Sequence, residues 1–575
     1  MNETRFRWRN RQLREHASVL DGALAPTKLI KNTTYLNVYL KKWMSGHIWL
    51  YEDRIVYTGE KLPDNTEGTE IIDGKDRYVV PGYIEPHAHP FQLYNPQSLA
   101  EYATRTGTTT LVNDNLMWLF LTDKAKAFSL LEEFMNVPAT MYWWARFDSQ
   151  SALREDDQDA FEKQVPDWIE HDAVIQGGEL TAWPDVLYGG DDQILHWMQE
   201  TKRARKPLEA HLPGASEKTL AKMRLLGMNS EHESMNADDV LKRLELGYQT
   251  GLRYSSIRPD LPEIIEGLIE KGHDHYSHMM FTTDGSTPGF YREGLINECI
   301  RIAIEKGVPP IDAYMMATFE PARHFGIDNR VGSLNVGRIA HLNFLKDPND
   351  PTPAEVIAKG EWVDDKETEI EWEKNGIGKL EMDWDLQDSD MQFSMPVGLE
   401  MVNDVIMKPY PIDIDASVDR LSEEHNEALL MLMDREGEWK INTFLKGFTQ
   451  TLGGLVSTYS NTGDIIFIGK SKSDLQIAFE RMKEIGGGIV LADKGEIVFE
   501  LPLPLGGTMS DLPLPRLIEE EDKLKKHLKS HGFSYGDPVY TLLFLSSVHL
   551  PYTRITPRGI MDVKKKEVLF PAIMR

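Results

Sequence analysis

Only one cysteine, Cys299, occurs in 575 residues, which excludes a disulfide framework and any thiolate-based zinc site. Its setting, Leu295-Ile296-Asn297-Glu298-Cys299-Ile300, reads as a helix face rather than a nucleophile's surroundings. Basic residues are in deficit: 63 Lys and Arg stand against 91 Asp and Glu, a formal charge of −28. That balance repels nucleic acid and anionic membrane surfaces and leaves a small-molecule substrate as the expected partner. Long apolar runs are also missing. The most apolar stretch, 111–121, is interrupted by Asn113, Asp114 and Asn115, so nothing approaches a membrane span. The first fifteen residues are charged and polar where a secretory signal needs an apolar core. A soluble cytoplasmic protein is expected, without nucleic-acid or membrane partners; a homo-oligomer is compatible with all of this.

What is present is enough chain for two or three domains. After a polar, helical N-terminus come short β-like runs at 28–30, 36–40, 46–51 and 54–58, punctuated by turn residues. A similar run, Ala340-His341-Leu342-Asn343-Phe344-Leu345, follows much later. Between them strand-like and helix-like segments alternate. Candidate strands cover 83–89, 108–114, 141–147, 175–180, 207–212, 228–234, 251–258 and 275–284; helical patterns cover 124–135, 193–203, 217–226, 237–248, 261–271 and 291–306. Eight strand-helix units in about 250 residues match a (β/α)₈ barrel. The expected fold class is therefore α/β: a TIM-type barrel over 81–329, a small flanking β-sandwich built from 1–80 and 330–365, an acidic linker at 366–392, and a C-terminal α/β domain over 393–575. In that last region 464–469 and 488–492 read as strands and 473–484 as a helix.

The chemistry starts at Pro81-Gly82-Tyr83-Ile84-Glu85-Pro86-His87-Ala88-His89. Side chains alternate across a strand, so His87 and His89 share a face and can reach one metal ion. In a barrel the carboxyl ends of the strands converge on one mouth. There the fourth strand offers Glu179, the fifth His211, the sixth His232 and the eighth Asp284. Four imidazoles and two carboxylates suit a pair of divalent transition metals, with a carboxylate able to bridge them. Two ions sharing Glu179 and a water make hydroxide available at neutral pH, and Asp284 is placed to accept the water's proton and pass it to a leaving group. The expected product of such a site is a hydrolase.

These motifs resemble the amidohydrolase superfamily, and within it the chain is most similar to the adenine deaminases. The matching pieces are Gly177-Gly178-Glu179, Ala210-His211-Leu212-Pro213-Gly214, Glu231-His232-Glu233, Thr282-Thr283-Asp284, Met316-Ala317-Thr318, Pro321-Ala322-Arg323-His324-Phe325-Gly326 and Leu501-Pro502-Leu503-Pro504-Leu505-Gly506-Gly507-Thr508-Met509-Ser510. The resemblance implies hydrolysis of adenine to hypoxanthine and ammonia by hydroxide attack on the amino-bearing ring carbon. It implies two divalent ions, manganese or iron, with zinc also compatible. Their ligands would be His87, His89, Glu179, His211, His232 and Asp284, with Asp284 the proton carrier. Glu233 would protonate or hold a purine ring nitrogen. Relatives that hydrolyse cyclic amides usually bridge their metals with a carboxylated lysine, and 174–180 contains none.

The chain also departs from the family pattern. Pro90-Phe91-Gln92-Leu93 replaces a hydrophobic residue, an acid and two serines; Gly285 replaces a second aspartate; Thr458-Tyr459-Ser460-Asn461-Thr462-Gly463-Asp464 lacks the histidines of a His-Asp-Ser-His segment. Two other readings stand beside adenine deamination: an amidohydrolase acting on another amino-heterocycle or a cyclic amide, and a non-catalytic binding or scaffold relative.

Overall fold

A computed structural model describes Glu3, Thr4 and residues 7–575. Its centre is a sheet of eight parallel strands in sequence order: Tyr83–Ala88, Thr108–Asn113, Thr140–Ala145, Val174–Leu180, Leu208–Ala210, Ser230–Glu231, Gln249–Arg253 and Met279–Thr282, here barrel strands 1 to 8. All their residues are buried, as expected of parallel strands covered on the outside by helices. Strand 1 meets strand 8 through Glu85, whose carboxylate accepts hydrogen bonds from the Thr282 hydroxyl at 2.7 Å and from the Thr283 N–H and hydroxyl at 2.9 and 2.6 Å. The outer helices begin where a side chain can satisfy a free N–H. Asp123, Asp191, Ser216 and Asn236 each accept from the third residue of the helix that follows.

Strands 6, 7 and 8, expected at 228–234, 251–258 and 275–284, are shorter or shifted, and the helices Pro96–Arg105 and Glu155–Glu170 were not expected. Two further differences follow from single backbone angles. The helix after strand 8 starts at Ile296, not 291, because Pro288–Glu293 is a 3₁₀ turn ended by Gly294 at φ 125°. The separate strand expected at 36–40 is the end of one strand, Lys28–Asn37, which carries a bulge at Asn32, φ 55°.

That strand belongs to a second sheet with Lys42–Tyr51, Arg54–Gly59, Glu70–Asp73 and Tyr78–Pro81. Leu342–Leu345 runs antiparallel to Tyr78–Pro81 and brings Glu355–Ala358 and Glu361–Trp362 into the same sheet, so segments before and after the barrel share it. Gly82 joins this sheet to barrel strand 1 where no side chain fits: a Cβ there would lie 1.9 Å from the Thr109 hydroxyl.

Residues 366–392 have little regular structure, but Ile370, Ile377, Met382, Leu386 and Met391 are buried, and the Leu380 N–H donates to the Gly486 carbonyl at 2.8 Å. Beyond them a nine-stranded, mostly antiparallel sheet runs from Val397–Met401 to Glu496–Pro502 and takes in Ile573–Met574. The helices Lys472–Ile485, Leu514–Ser530 and Pro538–Phe544 complete this region with a three-stranded sheet, Thr553–Thr556, Gly559–Asp562 and Glu567–Pro571. One apolar cluster runs from the barrel, with Phe91, Trp118 and Trp143, into the C-terminal region, with Leu455, Leu505, Met509 and Tyr540. The C-terminal region therefore packs over the barrel mouth. Among the described residues no helix is long and apolar enough to cross a membrane.

Candidate metal centre

All six side chains singled out from the sequence meet at the carboxyl end of the barrel. His87 and Glu179 lie in strands 1 and 4, while His89, His211, His232 and Asp284 stand one or two residues beyond the ends of strands 1, 5, 6 and 8. Ligand atoms of His87, His89 and Glu179 fall within 4.8 Å of one another, as do those of Glu179, His211 and His232, and those of His232, Glu233 and Asp284. Glu179 thus stands in two of these groups. Its position depends on Gly178, φ 83°, where a Cβ would lie 2.2 Å from the Glu209 carbonyl oxygen.

The imidazoles are held from behind by carboxylates that the sequence reading did not single out. Glu209 faces Nδ1 of His87 at 3.0 Å and Nδ1 of His232 at 3.2 Å, and accepts from Gln176 at 2.7 Å. Asp114 faces Nδ1 of His89 at 2.8 Å and is gripped by Arg146, whose Nη2 lies 2.6 Å from its Oδ2 and 3.0 Å from Glu179. Outer carboxylates of this kind fix the ring orientation and leave the inner nitrogen free to bind a cation. The Trp144 ring stacks on His87 at 4.5 Å and closes the floor. Glu209 lies in strand 5, two residues before His211, while Asp114 stands just beyond strand 2 and Arg253 ends strand 7, positions that point to the mouth but do not by themselves reveal which ring each supports.

The electrostatics fit a cation. Asp114, Glu179, Glu209, Glu233 and Asp284 are five buried carboxylates, set against the guanidiniums of Arg146, Arg253 and Arg258. Burial pushes Glu179 upward, but Arg146 and His211 outweigh it and hold the carboxyl well below its usual range. Asp284 is held low in the same way by Arg253 and His89. Against the effect of burial, Asp114 and Asp284 pull His89 up to about 9, and Glu179 and Glu209 raise His232. The surplus of carboxylate therefore attracts positive charge, which divalent ions among the ligand atoms satisfy equally well. Nδ1 of His211 and Nε2 of His232 point at Glu179, 2.9 and 3.5 Å away, without hydrogen-bonding to it. Buried donors that converge without bonding each other suit ions placed between them.

Glu233 lies 3.3 Å from His211 and 3.4 Å from His232, and is paired with both Arg253 and Arg258. His211 and Arg253 overcome burial and draw it down to about 2, so it is an anion at neutral pH. Above these groups is a cavity of about 400 Å³, roofed from the C-terminal region by Asn403, Tyr459, Asn461, Tyr540 and His549. A second cavity of about 530 Å³ adjoins it across Gln150, His211, Pro213 and His549. Cys299 lies away from this site, buried in the helix Ile296–Glu305.

Comparison with known proteins agrees with this architecture. Residues 78–363 match the amidohydrolase family and residues 406–567 the adenine deaminase C-terminal domain. A protein of Oceanobacillus iheyensis named "Putative adenine deaminase" is 53% identical over 99% of both chains. A Bacillus subtilis protein named "Putative adenine deaminase YerA" is 51% identical over 100% of both. The "Adenine deaminase" of Desulforamulus reducens is 26% identical over 97% of this chain and 98% of its own. Among solved structures, the N-acetyl-D-glucosamine-6-phosphate deacetylase of Mycobacterium smegmatis covers 59% of this chain and 100% of its own at 16% identity and a TM-score of 0.45, too distant to bear on the site. With full-length relatives at half identity and both domains matched, the chain belongs to the adenine deaminase family of the amidohydrolase superfamily.

Proposed function

We propose that the protein is a metal-dependent hydrolytic deaminase converting adenine and water to hypoxanthine and ammonia. The observation that carries this reading is the convergence of four imidazoles, Glu179 and Asp284 beside a buried anionic Glu233 in a cavity of about 400 Å³. His87, His89, Glu179, His211, His232 and Asp284 would hold two divalent ions, manganese or iron by family resemblance. Once bound, the ions supply Lewis acidity that lowers the pKa of water towards neutrality.

The chain's own residues supply the rest. Asp284, its carboxylate oriented by Arg253 at 3.0 Å and His89 at 3.0 Å, would take a proton from water and hand it to the departing amine. Glu233, ionised between two arginines, accepts an N–H of the ring and so orients the base. The C-terminal roof excludes bulk water and strengthens each of these interactions. Composition supports a small-molecule substrate met in the cytoplasm.

Purified protein loaded with manganese or iron should release ammonia from adenine. Glu179→Gln should lose that activity by at least about 100-fold together with bound metal, since a neutral amide is a poor bridge. A fully metallated, active Glu179→Gln variant would overturn the assignment of the bridge.

A further inference from the structure

The loop after barrel strand 1 carries a polar side chain that the mechanism above leaves unused. Gln92 is 6% exposed and lines the cavity next to His89. Its Oε1 accepts a hydrogen bond from the Tyr459 hydroxyl at 2.8 Å, across a sequence separation of 367 residues. Its Nε2 makes no hydrogen bond among the described residues. That nitrogen occupies the space beside Gly285, where a Cβ would come within 3.0 Å of it and 2.8 Å of the His89 Cβ. A side chain at 285 would collide with the His89 Cβ and crowd the Gln92 amide, so the glycine leaves this amide its place.

The surroundings fix this amide rigidly. Leu93 and Asn95, just after it, are tied to the C-terminal region: the Ser510 N–H donates to the Leu93 carbonyl at 2.7 Å, and the Asn95 amide donates to the Ser510 carbonyl at 2.8 Å. Tyr540 donates to the Gly285 carbonyl at 2.7 Å. Tyr459 and Tyr540 are themselves buried. An amide whose oxygen is pinned by Tyr459 and whose N–H₂ faces the cavity is set to donate to whatever polar group fills that cavity.

We infer that Gln92 is a specificity-determining residue of this site: held through its carbonyl by Tyr459, it donates from Nε2 to a hydrogen-bond acceptor on the ring. This rests on the deaminase reading and narrows its substrate class to amino-heterocycles with an unprotonated ring nitrogen on the side facing Gln92. Adenine offers three ring acceptors, N1, N3 and N7, and replacing each nitrogen by CH removes one at a time.

The test measures KM for adenine and inhibition constants of 1-deaza-, 3-deaza- and 7-deazaadenine against adenine turnover, using metal-loaded wild-type protein, Gln92→Leu, Gln92→Glu and Tyr459→Phe. One analogue should bind wild type roughly ten-fold or more weakly than adenine, and that deficit should vanish in Gln92→Leu, where the donor is gone. Gln92→Glu keeps an acceptor for Tyr459 and exchanges the donor for a negative charge, so the same deficit should vanish or reverse there even if the leucine variant folds poorly. Tyr459→Phe should shrink it, with metal content unchanged in every variant. Deficits identical in wild type and both Gln92 variants would overturn the role of Gln92 while leaving deamination standing. Wild-type protein that holds two metals but neither binds nor converts adenine would instead overturn the deaminase reading, and this inference with it.

Discussion

Glu209 shows how much of the site depends on residues that need never touch substrate. One carboxylate holds Nδ1 of both His87 and His232, and those two rings lie 4.0 Å apart. His87 and His232 outweigh burial and keep Glu209 ionised well below the usual carboxylate range. Replacing Glu209 by Gln removes the charge and offers an amide N–H₂ to one of two rings that both need an acceptor. Metal affinity should fall by about 10–100-fold, the usual cost of losing such a partner, and titration of the metal-free protein with manganese will measure it. Unchanged affinity would mean that ring packing, of His87 on Trp144 and of His232 on His87, orients the two histidines without Glu209. At this scale the sequence announced the inner ligands, because imidazoles at strand ends are conspicuous. It hid their supports: Asp114 looked like an interruption of an apolar run, and Glu209 has meaning only once strands 1, 5 and 6 are side by side. Gln92 and Tyr459 each stood in a segment that departs from the family pattern, but nothing in the sequence showed that the two, 367 residues apart, touch.

Among the elements, most barrel strands were legible as short apolar runs bounded by turn residues, whereas the polar strands 6 and 7, Ser230–Glu231 and Gln249–Arg253, were placed less closely. Boundaries set by a single backbone angle, as at Asn32 and Gly294, were not legible. The C-terminal segment following Gly454–Ser457 is a further case. Its residues 458–464 form the roof loop, and Asp464, 7% exposed, receives at its carboxylate only the Thr462 hydroxyl among the described residues. Burial pushes the Asp464 carboxyl up to about 7, with the Thr462 hydrogen bond opposing. The folded group therefore keeps its proton to about pH 7, whereas the unfolded one loses it near pH 4. Its contribution is fully present below about pH 4 and is lost as pH rises through 7. Asp464→Asn should thus be more stable than wild type at pH 8, by on the order of 3 kcal/mol, with the gain fading by about pH 4.5. Melting temperatures of the two proteins across that range will show it; a difference independent of pH would mean that the folded carboxyl is already ionised.

For the whole molecule, the decisive feature is that one apolar cluster crosses from the barrel into the C-terminal region, while the ligand cluster lies beneath the join. The C-terminal region is then part of the catalytic chamber rather than an appendage. Sequence patterns could separate these regions but could not show that they share a core, since that follows only from their contact. Ions bound to the folded state alone stabilise it by mass action, about 2.7 kcal/mol per site at a hundred-fold excess over the dissociation constant. The buried carboxylate surplus acts through that dissociation constant, because like charges left facing each other in low dielectric make the ions bind more tightly. Stripping the metal should therefore lower the melting temperature, and manganese should restore it. Because the shared core couples the parts, calorimetry should show one transition that moves as a whole. A C-terminal transition that stays fixed while the barrel's shifts would mean that the two regions unfold independently and that the roof over the site is only loosely held.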